Sequence, residues 1–246
     1  MQAETGQTPD KTPAGAVAPA PAQGRVSSAF IRREGARAAE DADHARIIAR
    51  RFALLRTRVL REMRNRKWKR LAVVPLTKGA GGTFVAINLA LTLARQQHTE
   101  VVLLDLDLAQ PDVARQLGVP GSDTLSETLR RGGALAELVR EVEEAPNLSF
   151  LAPDQPELEA AEILQDEDLV RALDGLSAAL PGNALIVMDT GPLLGEDEAL
   201  AALPLADALL LVADGRRGTA ADMIQAERLL VGMPPVMGVL LNKSED

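Results

Sequence analysis

The sequence predicts an α/β fold, with a doubly wound, mostly parallel sheet in a single domain of residues 71–246. Six aliphatic runs recur along this part of the chain, and they lack the polar alternation of half-exposed strands. Such runs suit strands that helices cover on both faces. The predicted strands span residues 71–76, 101–105, 148–152, 184–189, 208–213 and 236–242. Helical periodicity between them predicts helices over 84–97, 159–180 and 219–231, with several short helices within 111–142.

Residues 1–42 precede this domain and are predicted to form a disordered tail. They are rich in Ala, Pro, Gln, Gly and Thr and hold few large apolar side chains, so they bury too little surface to offset the entropy of ordering. The N-terminus has no apolar export signal, and no apolar run reaches the ~18 residues of a membrane span. We therefore expect a cytoplasmic protein.

Residues 43–70 are predicted to form a basic amphipathic helix. Its apolar residues recur at helical spacing: Ile48, Phe52, Leu55, Val59 and Met63. Residues 44–70 carry a net charge of +10, whereas residues 71–246 carry −17. Such asymmetry is typical of an interaction segment. The helix could dock on an acidic partner or lie on the inner face of an anionic membrane with Trp68 at the interface. Alternatively, it packs its stripe on the domain and leaves its charges in solvent.

Composition excludes several classes of chemistry. The chain has no cysteine, so it forms no disulfide and offers no thiol nucleophile. His44 and His98 are the only histidines, and no G-x-S-x-G motif is present, which argues against a serine hydrolase or a zinc site.

The first strand leads into a glycine-rich loop, Thr77-Lys78-Gly79-Ala80-Gly81-Gly82-Thr83. A strand, a glycine turn and a helix N-terminus together form an anion site, because backbone N–H groups and the helix dipole point at one spot. The amides of Gly79, Ala80, Gly81, Gly82 and Thr83 are therefore candidate phosphate ligands, and the hydroxyl of Thr83 is a candidate magnesium ligand. A P-loop carries lysine immediately before this Ser/Thr, but here the residue is Gly82. A dinucleotide-binding G-x-G-x-x-G fingerprint would need glycine at Phe84, so it fails.

Two further strands end in carboxylates. Asp105 ends the strand 101–105 and Asp107 follows two residues later, while Asp189 ends the strand 184–189. Open α/β sheets bind ligands at the carboxyl ends of their strands. An Asp in this position beside a P-loop typically holds Mg²⁺.

Together these motifs resemble the cytoplasmic domain of bacterial tyrosine kinases (BY-kinases) of capsule and exopolysaccharide systems. That family belongs to the deviant-Walker P-loop branch, with the partitioning ATPases ParA and MinD. The resemblance covers residues 50–243. It rests on the helix FALLRTRVL, the glycine loop followed by Asn88-Leu89-Ala90, and VVLLDLDLAQP. It continues through Leu151-Ala152-Pro153, IVMDTGP, ADALLLVADGRRGT and the closing GVLLN.

The resemblance implies a site for ATP and Mg²⁺. It assigns Thr83, Asp105 and Asp189 to the metal, Asp105 and Asp107 to catalysis, and Asn242 to the neighbourhood of the base. Lys78 is the candidate substitute cation, although it lies four residues before Gly82 and is expected on the other side of the turn.

The sequence also departs from the family pattern. Gly82 replaces the Walker A lysine, Ala109 replaces an arginine, and the ring-forming E-x-x-R-x-x-R pattern aligns with Arg50, Ala53 and Arg56. The chain has no tyrosine, so it cannot phosphorylate itself on tyrosine. A family-type ring is not expected, although another oligomer is compatible with the sequence.

Three functions are compatible with these observations. The first is a degenerate pseudokinase that acts through a membrane-embedded chain-length or export partner in exopolysaccharide biosynthesis. The second is an active ATPase or protein kinase that uses Lys78 and phosphorylates another protein. The third is a positioning ATPase of the ParA/MinD type, although no nucleic acid is expected as a partner.

Overall fold

The computed structural model describes residues 25–28, 42–122, 124–195 and 197–244. Aliphatic runs form the central strands, which are buried along their whole length because helices cover both faces of the sheet. The strands are β1 (Arg25–Val26), β2 (Arg70–Pro75), β3 (Val101–Asp105), β4 (Arg140–Val142), β5 (Ala145–Leu151), β6 (Leu185–Asp189), β7 (Ala208–Asp214) and β8 (Val236–Asn242).

The eight strands form one sheet in the order β1-β4-β5-β3-β6-β2-β7-β8. All neighbouring pairs are parallel except β4 and β5, which form an antiparallel pair. The predicted α/β class and mostly parallel sheet are confirmed. The order places β6 between β2 and β3, so the carboxyl ends of these three strands lie side by side.

The helices are α1 (Ala42–Arg66), α2 (Gly82–Ala94), α3 (Val113–Leu117), α4 (Leu125–Arg130), α5 (Ala160–Gln165), α6 (Glu167–Ala179), α7 (Asp197–Ala202) and α8 (Ala220–Leu229). Short 3-10 turns occupy Leu135–Glu137 and Leu203–Leu205. Two apolar cores lie on the two sheet faces, one beneath α1 and α2 and the other beneath α4 to α8. Within the described residues, no helix is both long and apolar enough to cross a membrane.

The basic helix packs its apolar stripe on the domain. Phe52, Val59 and Met63 are buried, while Ile48 and Leu55 are partly buried against the same core. The rings of Phe52 and Phe84 meet edge to face, with centroids 6.3 Å apart. The segment 43–70 is therefore continuous with the core of the domain, and its last residue, Arg70, begins β2.

Three local predictions need correction. The helix predicted over 159–180 is two helices, because Asp166 adopts an extended conformation and its carboxylate caps α6 through the N–H of Asp168. The strand β4 lies within the region predicted to hold only short helices. Residues 25–28 fall in the predicted disordered tail, but Arg25–Val26 pairs with β4 and the carboxylate of Glu144 accepts the N–H of Ser28. The other residues of the predicted tail, apart from Ala42, lie outside the described chain.

Candidate functional site

The candidate site lies where β2, β3 and β6 end. The glycine loop follows β2, Asp105 ends β3 and Asp189 ends β6. Asp105 and Asp189 are direct partners in the strand register. The topology therefore brings together the three motifs that the sequence separates by up to about a hundred residues.

The loop bends through two left-handed glycines. Gly79 has φ 78° and Gly81 has φ 91°, values that side-chain-bearing residues rarely adopt. The N–H of Ala80 donates to the carbonyl of Thr77 at 3.0 Å, so this predicted phosphate donor is used within the turn. The helix α2 then begins at Gly82 and directs its N-terminal amides toward the site.

Gly82 is packed directly against Pro75, the last residue of β2. A Cβ atom at position 82 would lie 2.8 Å from both Cδ and Cγ of Pro75. Real Cβ atoms essentially never approach other atoms so closely, and a proline ring at the end of a buried strand has little freedom to move. Gly82 thus removes the lysine charge, and Pro75 removes the space for any side chain at that position.

Asp105 is fully buried and held by the loop that follows it. Its carboxylate accepts the N–H groups of Asp107, Asp112 and Val113 at 3.1, 3.0 and 2.9 Å. Desolvation nevertheless raises the pKa of Asp105 to about 7, because the three hydrogen bonds offset only part of the burial cost and the charge of Asp107 adds to it.

Asp189 is also fully buried, but neither of its carboxylate oxygens has a hydrogen-bond partner among the described residues. Desolvation and then the charge of Asp105 raise the pKa of Asp189 well above its usual value. Two adjacent buried carboxyl groups cannot both ionise without a counter-ion, so the pair holds a proton or binds a cation.

A cavity of about 210 Å³ opens beside the glycine loop, and neither Asp105 nor Asp189, which are both fully buried, lines it. Its lining includes six of the predicted site residues, Asp107 and the loop residues Lys78, Gly79, Gly81, Gly82 and Thr83. Asp107, Gln110 and Asp112 line the opposite side. The expectation that Lys78 lies on the other side of the turn is wrong, because the loop directs its Nζ across the cavity to Oε1 of Gln110 at 2.8 Å.

The carboxyl end of β8 holds the loop from its other side. Asn242 donates from Nδ2 to the carbonyl of Ala80 at 2.8 Å, and Lys243 donates from Nζ to the carbonyl of Gly79. Lys243 Nζ also lies 3.4 Å from the carboxylate of Asp214. The N–H groups of Arg216 and Arg217 donate to that carboxylate too, and the first of these is the largest cause of a pKa lowered to about 2. In this structure Asn242 contacts the loop and does not line the cavity.

The donor set fits a magnesium ion that water or phosphate oxygens complete. Mg²⁺ prefers an octahedral set of oxygen ligands, and the unpartnered oxygens of Asp189 are a buried anionic donor of this kind. Asp105 and the Thr83 hydroxyl are the other candidates. Among the described residues, however, no group of three or more His, Cys, Asp or Glu side chains is placed to hold a metal. The protein alone therefore supplies an incomplete coordination sphere.

Sequence reasoning missed Pro75 and Gln110. The one available signal was the proline itself, which interrupts the aliphatic run four residues before Gly79. Gln110 carried no signal, because its hydrogen bond to Lys78 joins two loops that follow different strands.

Comparison with solved structures shows which fold this is. No family model and no curated protein matches the chain. The VpsO kinase domain is 23% identical with a TM-score of 0.68, over 81% of this chain and 98% of that one. The kinase domain of the Escherichia coli tyrosine kinase ETK is 24% identical with a TM-score of 0.61, over 71% and 67% of the two chains.

The second group of matches consists of positioning ATPases. The septum site-determining protein MinD of Pyrococcus horikoshii, solved with Mg-ADP, is 21% identical with a TM-score of 0.59, over 72% of each chain. At these identities the likeness establishes the fold. The chain therefore has the P-loop fold that bacterial tyrosine-kinase domains share with the MinD ATPases.

Proposed function

We propose that this protein is a catalytically degenerate P-loop protein that binds nucleotide at most weakly and acts through protein contacts. Its partner would be a membrane-embedded chain-length or export protein of an exopolysaccharide or capsule system. The fold shared with bacterial tyrosine-kinase domains supports this setting. The observation that carries the proposal is the contact between Gly82 and Pro75.

Because of that contact, two residues, Gly82 and Pro75, stand in the way of a lysine at position 82. A lysine at position 82 would have to displace the Pro75 ring, which lies 2.8 Å from the required Cβ position. The cation that stabilises a transferring phosphate is worth on the order of several kcal/mol in such a site. Without it, the phosphates of ATP would face Asp107 and Asp112, with Lys78 as the one lysine that lines the cavity.

The remaining groups define what weak binding would use. The amides of Gly79, Gly81, Gly82 and Thr83 would contact phosphate, while Thr83, Asp105 and Asp189 would hold Mg²⁺. Magnesium supplies positive charge to the phosphate oxygens when it is bound. Asp107 would accept a proton from the attacking group only if the phosphate were held in place. The backbone amides alone would hold the phosphate loosely.

One observation favours an active ATPase or protein kinase as the second candidate. Lys78 already lies on the cavity wall, and its ammonium makes a hydrogen bond to the neutral side chain of Gln110. A small rotation would exchange that partner for a phosphate oxygen. This candidate requires that Lys78→Ala abolish turnover while the fold is retained.

The outer face of α1 is the candidate contact with the partner or with an anionic membrane. Arg50, Arg58 and Arg61 are exposed and follow helical spacing, and none forms an ion pair within the described chain. We call these three residues the arginine strip. Ile47 and Leu54 lie on the same face, with exposed fractions of 52% and 62%. Exposed apolar groups among unpaired cations suit an acidic or membrane-bound partner.

Titration calorimetry with Mg-ATP and Mg-ADP tests the nucleotide part. The natural protein is compared with Gly82→Lys, Pro75→Ser and the double variant Pro75→Ser/Gly82→Lys. We expect weak or undetectable binding by the natural protein and both single variants. Gly82→Lys alone should also unfold at lower temperature, since its Cβ overlaps the proline ring.

The double variant should bind Mg-ATP, because it restores both the cation and the space for it. Tight binding and turnover by the natural protein, lost on Lys78→Ala, would instead establish the second candidate. A double variant that folds normally but still fails to bind would show that the site has lost more than these two residues.

The partner part is tested by affinity capture from solubilised membranes, with an arginine-strip variant, Arg50→Gln/Arg58→Gln/Arg61→Gln, as comparison. We expect the natural protein to enrich a polysaccharide chain-length or export component and the variant to lose it. Failure of the natural protein to enrich any such component would contradict the proposed setting.

A further inference from the structure

A second cavity lies at the opposite end of the sheet from the glycine loop. It has a volume of about 430 Å³ and lies between the C-terminal end of α1, the start of β2 and the turn before β6. Small-molecule sites typically occupy about 300–1,000 Å³. Apolar side chains form much of its wall: Leu60, Met63, Trp68 and Leu185. This cavity is twice the size of the one above the loop and shares no residue with it.

Three cations and no carboxylate line this cavity. The cations are Arg64, Lys67 and Lys69, and the other polar side chain is the amide of Asn183. Arg64 and Lys67 are exposed and have no ion-pair partner within the described residues. Lys69 donates from Nζ to the carbonyl of Ser177 at 3.1 Å, and Ser177 does not line the cavity, so Arg64 and Lys67 are the two cations that can meet a ligand there. In a chain whose net charge is −8, this is a concentrated positive site.

The backbone of Lys67 is unusual for its residue type. It has φ 58°, in the left-handed region where a helix usually ends with glycine. The N–H of Lys67 donates to the carbonyl of Arg64, and the N–H of Trp68 donates to the carbonyl of Met63. This is the hydrogen-bond pattern of the Schellman motif, in which glycine usually ends the helix. Lysine is strained here, and its ammonium adds to the rim of the cavity. Cations also complement the half charge of a helix C-terminus, but the two charges of Arg64 and Lys67 exceed it.

We propose that this cavity binds an amphiphilic anion, with a phosphate or carboxylate head between Arg64 and Lys67 and an apolar body against Trp68. The cavity above the glycine loop suits such a ligand poorly, because Asp107 and Asp112 line it. The ligand could be a soluble metabolite or the headgroup of a lipid, since both present the same chemistry. This proposal is independent of the fate of nucleotide at the loop.

Trp68 gives the proposal a direct readout, because it is the only tryptophan in the chain. The guanidinium of Arg66 lies 5.1 Å from the centre of its ring, which orients the indole beside the cavity. The probe is octyl phosphate below its critical micelle concentration. Octyl glucoside, which keeps the octyl chain but has no charge, and inorganic phosphate, which has the charge but no chain, are the two control compounds. We expect a saturable change in Trp68 emission with octyl phosphate, at concentrations about tenfold lower than with either control compound.

Lys67→Gly separates binding from structure. It removes one cation and relieves the left-handed strain, so we expect weaker octyl phosphate binding by about tenfold together with an unchanged or higher unfolding temperature. Arg64→Gln should weaken binding similarly. The matched control is Arg228→Gln, which removes an exposed arginine without an ion pair among the described residues from α8, no residue of which lines this cavity, and it should leave binding unchanged.

Vesicles of phosphatidylglycerol and of phosphatidylcholine distinguish the two sources of ligand. A Lys67-dependent change in Trp68 emission with phosphatidylglycerol vesicles assigns the site to a lipid headgroup. A response to octyl phosphate alone assigns it to a soluble anion. The proposal is overturned if octyl phosphate produces no saturable change, if octyl glucoside is equally effective, or if Lys67→Gly binds like the natural protein.

Discussion

At the scale of single residues, the buried carboxylates of Asp105 and Asp189 differ in their hydrogen bonds, although the two residues end neighbouring strands. Three backbone N–H groups reach Asp105, whereas the oxygens of Asp189 meet none within the described chain. The difference comes from the chain after each strand: the loop after β3 folds back over Asp105, while the one after β6 continues through Thr190 and Gly191 toward Pro192. Near neutral pH the pair therefore holds a proton or needs a cation.

The first prediction concerns the pH dependence of stability. The pKa of Asp105 is raised to about 7 in the folded protein and is near 3.8 in the unfolded chain. The folded state therefore binds the extra proton, so the stabilisation from this group is fully present below about pH 4 and is lost as pH rises through 7. Asp189→Asn removes a buried carboxyl whose own pKa is raised by desolvation and then by the charge of Asp105, so the variant should be more stable than the natural protein at pH 8.

Urea unfolding at pH 5 and pH 8 measures this effect. The variant Glu227→Gln is the control, because Glu227 is exposed and has no partner in the described chain. It should follow the natural protein at both pH values. Equal free energies of unfolding for Asp189→Asn and the natural protein at pH 8 would show that the pair causes no strain.

A second residue-scale prediction uses magnesium without nucleotide. If Mg²⁺ neutralises the pair, millimolar MgCl₂ at pH 8 should raise the unfolding temperature of the natural protein, because a ligand that binds only the folded state stabilises it. Asp189→Asn should respond less. A thermal shift that is the same in both proteins, or the same with NaCl at equal ionic strength, would indicate general screening.

At the scale of elements, α1 is part of the core and not an appended interaction segment. Val59 is 1% exposed and packs with Phe52 and Met63 beneath the helix. Val59→Ala should therefore lower the free energy of unfolding by about 2 kcal/mol, through lost burial and the cavity left behind. Leu54→Ala, on the exposed face of the same helix, should change it by no more than about 0.5 kcal/mol. Denaturant unfolding measures both, and equal effects would mean that α1 is detached in solution.

The elements also show what the sequence could predict. The aliphatic runs identified the six long strands. Four of them, β2, β3, β6 and β7, are buried almost throughout, whereas β8 lies at the sheet edge and is half exposed although its run is equally aliphatic. The short β4 was missed because three residues give no periodicity, and its pairing with β5 depends on the turn between them. The break at Asp166 was missed because apolar residues continue at helical spacing on both sides of it. The aspartate cap was the only local signal of the break.

The sequence predicted which residues meet at the site, but not the contacts between its loops. The order of strand, glycine loop and strand-terminal aspartates was sufficient to place Thr83, Asp105 and Asp189 together. The contact between Pro75 and Gly82 was not predictable, since it depends on the distance between a strand end and a helix start seven residues later. The partner of Lys78 depends in the same way on how two loops pack.

At the scale of the whole molecule, the basic and acidic regions do not neutralise one another. The domain carries −17 over residues 71–246 and the segment 44–70 carries +10. Even so, the arginine strip is exposed and unpaired within the described chain. Arg70 is an exception, since its guanidinium reaches Asp174 and Ser177. Because the acidic residues of the domain do not pair with the arginine strip, the strip is available to an anionic partner or an anionic membrane.

The last prediction distinguishes vesicle binding by the arginine strip from binding that depends only on the net charge of the protein. Arg50→Gln/Arg58→Gln/Arg61→Gln should abolish co-sedimentation with phosphatidylglycerol vesicles, if a membrane covers the strip, because each basic residue contributes about 1 kcal/mol near an anionic bilayer. The control Arg95→Gln/Arg171→Gln/Arg228→Gln removes the same charge from other exposed sites and should still bind. Neither triple variant should lose much stability, because all six side chains are exposed and the exposed ion pairs of Arg171 contribute little. Equal loss in both would mean that binding follows net charge, and no vesicle binding by the natural protein would leave a protein partner as the occupant of the strip.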